Sequence, residues 1–168
     1  MATSLKTRID LRISGIYTKT LDLQSSPSKF NILFTDTLAN GTGLDQADQE
    51  WSDQRTLAAT SEEIDLAGSV NDIHGTTLTF AKIKGIYIRN LATTVGYDLA
   101  VGGSATNGFI NWVGDATDII NIAPGGVFCL YNPSLAGYAV TAGTGDLLKI
   151  NAGANSITYD IALIGTSA

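Results

Sequence analysis

Four carboxylates crowd the stretch GTGLDQADQEWSDQRTL at residues 41–57: Asp45, Asp48, Glu50 and Asp53, beside Trp51. Three chemistries use such a cluster: a calcium loop, a pair of catalytic acids, or a solvated polar face. An EF-hand loop needs oxygen ligands at positions one, three and five and glycine at six. Counted from Asp45, those places hold Ala47, Gln49 and Glu50, so the spacing fails. Glycosidase chemistry needs two carboxyl groups facing one bond, one of them with a raised pKa. On a strand over 49–57, alternation sends Glu50 and Ser52 one way and Trp51, Asp53 and Arg55 the other. Asp53 then lies beside Arg55, and a neighbouring cation lowers a carboxyl pKa, the wrong direction for a general acid. An enzyme acting on a cell-wall or capsular polysaccharide would use carboxylates such as Asp48 and Glu50.

The other reactive side chains are solitary. His74 is the single histidine, in the turn-like NDIHG, without a GxSxG or HExxH context. Cys129 is the single cysteine and sits in the apolar run VFCLY. No internal disulfide is possible, and one His with one Cys cannot build a zinc site. The glycine clusters VGGSATNG and TAGTGD lack the GxxxxGK[ST] spacing of a phosphate cradle and read as tight turns. No cofactor and no metal is expected. Trp51 and Trp112 fit an interface anchor or core packing equally well.

The elements that position these residues are strands. Leu5, Ile9, Leu11 and Ile13 alternate with Lys6, Arg8, Asp10 and Arg12, and Phe30, Ile32 and Phe34 repeat the pattern after SSPSK. Ile157, Tyr159, Ile161 and Leu163 form the cleanest alternation. Further strands are expected at 85–90, 98–103, 119–123, 127–132, 138–142 and 146–150, separated by turn formers such as APGG, NPSLAG and NAGANS. The segment from Gly75 to Lys84 is expected to hold a short turn or a bulge. Turn signals about every ten residues predict an all-β fold, a single-domain, jelly-roll-like β-sandwich of many short antiparallel strands over residues 1–168. Residues 1–28 are a candidate arm that pairs with a neighbouring subunit.

Composition narrows the function classes. The chain has 168 residues, 44% of them apolar and 15% charged, with 18 glycines and a formal net charge of −6. Such an acidic balance disfavours wrapping nucleic acid. The charge is uneven: Lys6, Arg8, Arg12 and Lys19 lie in the first nineteen residues, and seven of the sixteen acids lie between Asp45 and Asp65. No run reaches eighteen apolar residues and the N-terminus lacks a signal-peptide core, so a membrane partner is not expected and folding in a cytoplasm is.

The runs DLAGSVNDIHGTTLTFAKIKGIYIRN and VGGSATNGFINWVGDATD, then APGG, GYAVTAGTGDLLKI and TYDIALIGTSA, are similar in kind and order to small virion proteins of tailed bacteriophages. With GTGLDQADQEWSDQRTLAA the resemblance spans residues 41–168. It implies a β-rich, non-enzymatic, oligomeric virion protein assembled in the host bacterial cytoplasm. The expected role is head decoration: a cement protein that forms a homo-oligomer, with a trimer expected, and binds the major capsid protein or another virion protein. The alternative is a tail, collar or fibre-associated module, with host carbohydrate as its ligand. The candidate interface residues are Lys6, Arg8, Arg12, Trp51, Arg55 and Trp112.

Overall fold

A computed structural model describes residues 4–168, and the first three residues of the expected arm lie outside them. Every regular element among the described residues is a β-strand. The first two, β1 (Thr7–Thr20) and β2 (Ser25–Asn40), form one antiparallel ribbon in continuous register from Thr7↔Leu38 to Thr20↔Ser25. At about 3.4 Å per residue the ribbon is roughly 45 Å long, beyond the usual strand length of ~3–10 residues. The short β3 (Gln46–Ala47) pairs in parallel with the end of β2.

The remaining strands make a β-sandwich. One sheet contains β4 (Gln49–Ala58), β6 (Lys82–Asn90) and β12 (Ser156–Thr166), in the order β6-β12-β4. Along the other edge of β6 run β9 (Val127–Tyr131) and β10 (Tyr138–Ala139). The second sheet has the order β5-β11-β7-β8, from β5 (Ser61–Asp65), β11 (Leu147–Asn151), β7 (Leu99–Gly102) and β8 (Ile119–Ile122). Both sheets feed one core. Ile86, Ile88, Ile157, Ile161 and Leu163 come from the first, and Ile64, Leu99, Val101, Leu148 and Ile150 from the second. The class is the expected sandwich, and the strand orders above describe its connectivity.

Alternation explains most of this. Along β12 the residues Ile157, Tyr159, Ile161 and Leu163 are buried and their neighbours are not. Of the turn or bulge expected over Gly75–Lys84, the bulge is present, and the nearest turn is centred just ahead of that segment. Asp72 closes a turn by accepting the amides of His74 and Thr76 at 2.8 Å, and Lys84 is the extra residue of a bulge. Ile164 faces Gly85 while Gly165 faces Ile83, which leaves Lys84 without a partner on β12. Gly165 is needed at that place, because a Cβ would lie 2.7 Å from the Phe80 ring.

The arm differs from its expected extent. Its boundary at residue 28 falls inside β2, and the reversal occurs at Leu21–Gln24, where the Leu21 amide donates to the Gln24 carbonyl at 2.8 Å. SSPSK is strand, with Pro27 opposite Thr18. A two-stranded ribbon has free edges, and there a proline's missing N–H is tolerated.

Candidate assembly surface

Directly opposed residues of an antiparallel pair share a face. One face of the ribbon therefore carries Leu11 with Phe34, Ile13 with Ile32, and Tyr17 beyond Gly15 and Phe30. The other carries Arg8, Asp10, Arg12 and Ser14 opposite Thr37, Thr35, Leu33 and Asn31. The polar face is bonded within itself. Arg8 Nε donates to Asp10 Oδ2 at 2.8 Å, Thr35 Oγ1 to Asp10 Oδ1 at 2.9 Å, and Arg12 Nε to Asn31 Oδ1 at 3.0 Å. The Arg8 guanidinium, then the Thr35 hydroxyl, hold the Asp10 carboxyl below its ordinary range.

The apolar face has no such closure. Leu11, Ile13, Tyr17, Phe30, Ile32 and Phe34 are all exposed, Ile32 at 63% and Tyr17 at 73% of their surface. Gly15 lets this face lie flat: the Phe30 ring covers it from the opposite strand, and a Cβ there would stand 2.5 Å from Cε1 of the ring.

At its root the same face enters the body. Leu38 is fully buried. The Phe34 and Tyr131 rings meet edge to face, 5.7 Å between centroids, and the Tyr131 hydroxyl donates to Asp36 Oδ2 at 2.6 Å. Burial, then the Asp36 carboxylate, push the Tyr131 phenol well above its ordinary pKa. Ile9 sits over an apolar niche on the outer side of the first sheet, beside Tyr87, Cys129, Ala162 and Ile164. Lys84 clamps the loops under the ribbon, its Nζ donating to the carbonyls of Gly43 and Pro133 at 3.2 Å and to that of Ser134. Burial lowers the Lys84 pKa, with Lys82 adding to the shift and Asp45 opposing it.

The candidate interface residues divide. Lys6, Arg8 and Arg12 are exposed on or beside the ribbon. Trp51 is core, 8% exposed. Trp112 is half-buried against Phe128, rings 5.6 Å apart, with Nε1 donating to the Phe109 carbonyl at 2.8 Å. Of the two readings open for the tryptophans, packing is the one these positions support. Arg55 is engaged at the open side of the sandwich, with Nη1 3.0 Å from Asp53 and Nη2 2.5 Å from Glu62. Glu62 also accepts the Tyr159 hydroxyl. Glu62, then Asp53, raise the Arg55 pKa, while burial and then Glu62 raise that of Tyr159.

The four acids of the opening stretch do not converge. Asp53 pairs with Arg55, and Asp48 accepts the amide and hydroxyl of Ser167 at 2.8 and 2.5 Å. Glu50 stands opposite Ile164 on β12, and Asp45 is in a loop where its amide donates to the Pro133 carbonyl. Among the described residues no group of three or more His, Cys, Asp or Glu could hold a metal ion. His74 is an exposed turn residue, and burial raises the Cys129 thiol pKa, away from a reactive thiolate.

Sequence reasoning misses the outward apolar row of the ribbon, because alternation ordinarily means a dry face against the chain's own core. The available signal is two alternating runs of unusual length next to each other. No protein family, curated protein or solved structure matches this chain.

Proposed function

We propose that this chain is a non-enzymatic structural protein of a bacteriophage virion, a decoration protein that binds the assembled head as an oligomer and ties neighbouring capsomers. The observation that carries the assembly part is the rooted ribbon with an exposed apolar face. An isolated two-stranded ribbon is marginal in water, and an apolar row of this size marks an interaction surface. The resemblance of residues 41–168 to small virion proteins supports the phage part. The dispersal of Asp48, Glu50 and Asp53 into structural and surface positions favours a binding role over hydrolysis.

The test is to label purified particles of the source phage with an antibody against the chain. Label distributed over the head surface is the expected result. Label confined to the tail would replace the head reading with the tail or collar one, and particles without label would overturn both. The carbohydrate-binding form has less support, since neither tryptophan is a free stacking platform.

A further inference from the structure

We propose that the apolar face of the ribbon is covered by the outer face of the β9-β6-β12 sheet of a second copy of this chain, each copy giving its ribbon to one neighbour and receiving one from another. Self-association of this kind does not depend on the virion reading.

Three observations point to a second copy. The first is charge. Residues 4–40 hold five Lys or Arg against three Asp, while residues 41–168 hold five against thirteen acids. The net charges draw the ribbon as a whole toward a body and disfavour ribbon-on-ribbon pairing, with Arg8, Arg12 and Lys29 on the polar face that stays outward. The second is a matching surface on every copy. Antiparallel register brings Tyr87 between Cys129 and Ala162 on the outer side of the first sheet, with Ile164 next to Gly85. Tyr87 is 38% and Val127 55% exposed, and Cys129 is exposed. This patch meets the ribbon's apolar face at Ile9 and Tyr131, so the two form one continuous apolar corner. The third is size. Six large side chains, about half exposed, offer roughly 500–800 Å² at ~150–250 Å² each, close to the ~800 Å² per partner of a standard interface.

Giver and receiver are different surfaces of the same chain, so the contact is heterologous and closes into a ring when the rotation permits. The root of the ribbon is held by buried Leu38 and the Tyr131–Asp36 bond, which fixes the rotation between one copy and the next.

The test measures mass in solution by size exclusion with light scattering. The wild-type chain is expected to run as a closed oligomer. Ile13→Asp with Ile32→Asp on the giving face, or Tyr87→Asp on the receiving face, should give a 17.6 kDa monomer with an unchanged circular dichroism spectrum. Each hot-spot change should weaken association roughly 30-fold or more. Ile16→Asp, on the other ribbon face, should leave the oligomer intact. Mixing the ribbon-defective and sheet-defective chains should restore a heterodimer, because one sound interface remains.

A second variant keeps the test open if these misfold. Ile32→Cys in the wild-type background should form a disulfide with the neighbour's native Cys129 on oxidation, seen as a ladder of multiples in a denaturing gel. A wild-type monomer at every concentration would overturn the proposal. So would the absence of a heterodimer on mixing folded variants. Disulfides formed only between two introduced thiols would overturn it as well, since they are the signature of ribbon-to-ribbon contact.

Discussion

Tyr159 is fully buried in the core, and its hydroxyl is satisfied by Glu62, which in turn is held by Arg55. Hydrogen bonds to charged groups are worth about 1.5–3 kcal/mol, so Tyr159→Phe should destabilise the chain by about 1–2 kcal/mol in urea unfolding, Glu62 keeping its arginine. Both Tyr131 and Tyr159 have raised pKa values in the folded state. A raised folded value means that the native state binds the proton more tightly than the unfolded one. Their contribution is full below the unfolded phenol pKa of about 10 and is lost as pH rises above it. Alkaline titration followed by tyrosinate absorbance should show a late step that coincides with unfolding, and Tyr159→Phe should shrink it. Part of this cluster was legible: Asp53 and Arg55 are two apart on one strand and share a face. Tyr159 was not, because it reaches Glu62 across 97 residues of chain, and Glu62, only seven residues from Arg55, lies on β5 in the other sheet.

Two elements of the same alternating pattern behave oppositely. Ile88 on β6 is fully buried, and Ile32 on β2 is 63% exposed. Ile88→Ala should cost about 2–5 kcal/mol of stability. Ile32→Ala should change the stability of the dissociated chain by less than about 0.5 kcal/mol, measured in the same denaturant series at low concentration. The Lys84 bulge carries a different consequence. Lys84→Met keeps the stem but removes three donated hydrogen bonds, so amides around Gly43 and Ser134 should exchange with deuterium faster than in the wild type. The positions of β6 to β9, β11 and β12 were legible from alternation and turn chemistry. The ribbon's reversal at LDLQ was not, since it lacks glycine, asparagine and proline, while SSPSK carries turn residues inside a strand. β5, SEEID, was hidden by its three acids, because only Ile64 and its pairing with β11 reveal it.

At the scale of the whole molecule, a well-cored sandwich carries a long ribbon that has no core of its own. The sandwich was legible as a class because both of its sheets alternate apolar and polar residues. The destination of the ribbon was not, since alternation specifies a dry face without saying which chain dries it. The opposite charge balance of ribbon and body predicts assembly that weakens as sodium chloride is raised, measurable as a rising dissociation constant. In the proposed assembly the ribbon is stable only against another copy. The most direct measurement of this is hydrogen–deuterium exchange at high and low protein concentration. Amides of residues 7–40 should be protected in the concentrated sample and lose protection on dilution, while β6 and β12 stay protected in both. Ribbon protection that is the same at every concentration would contradict it.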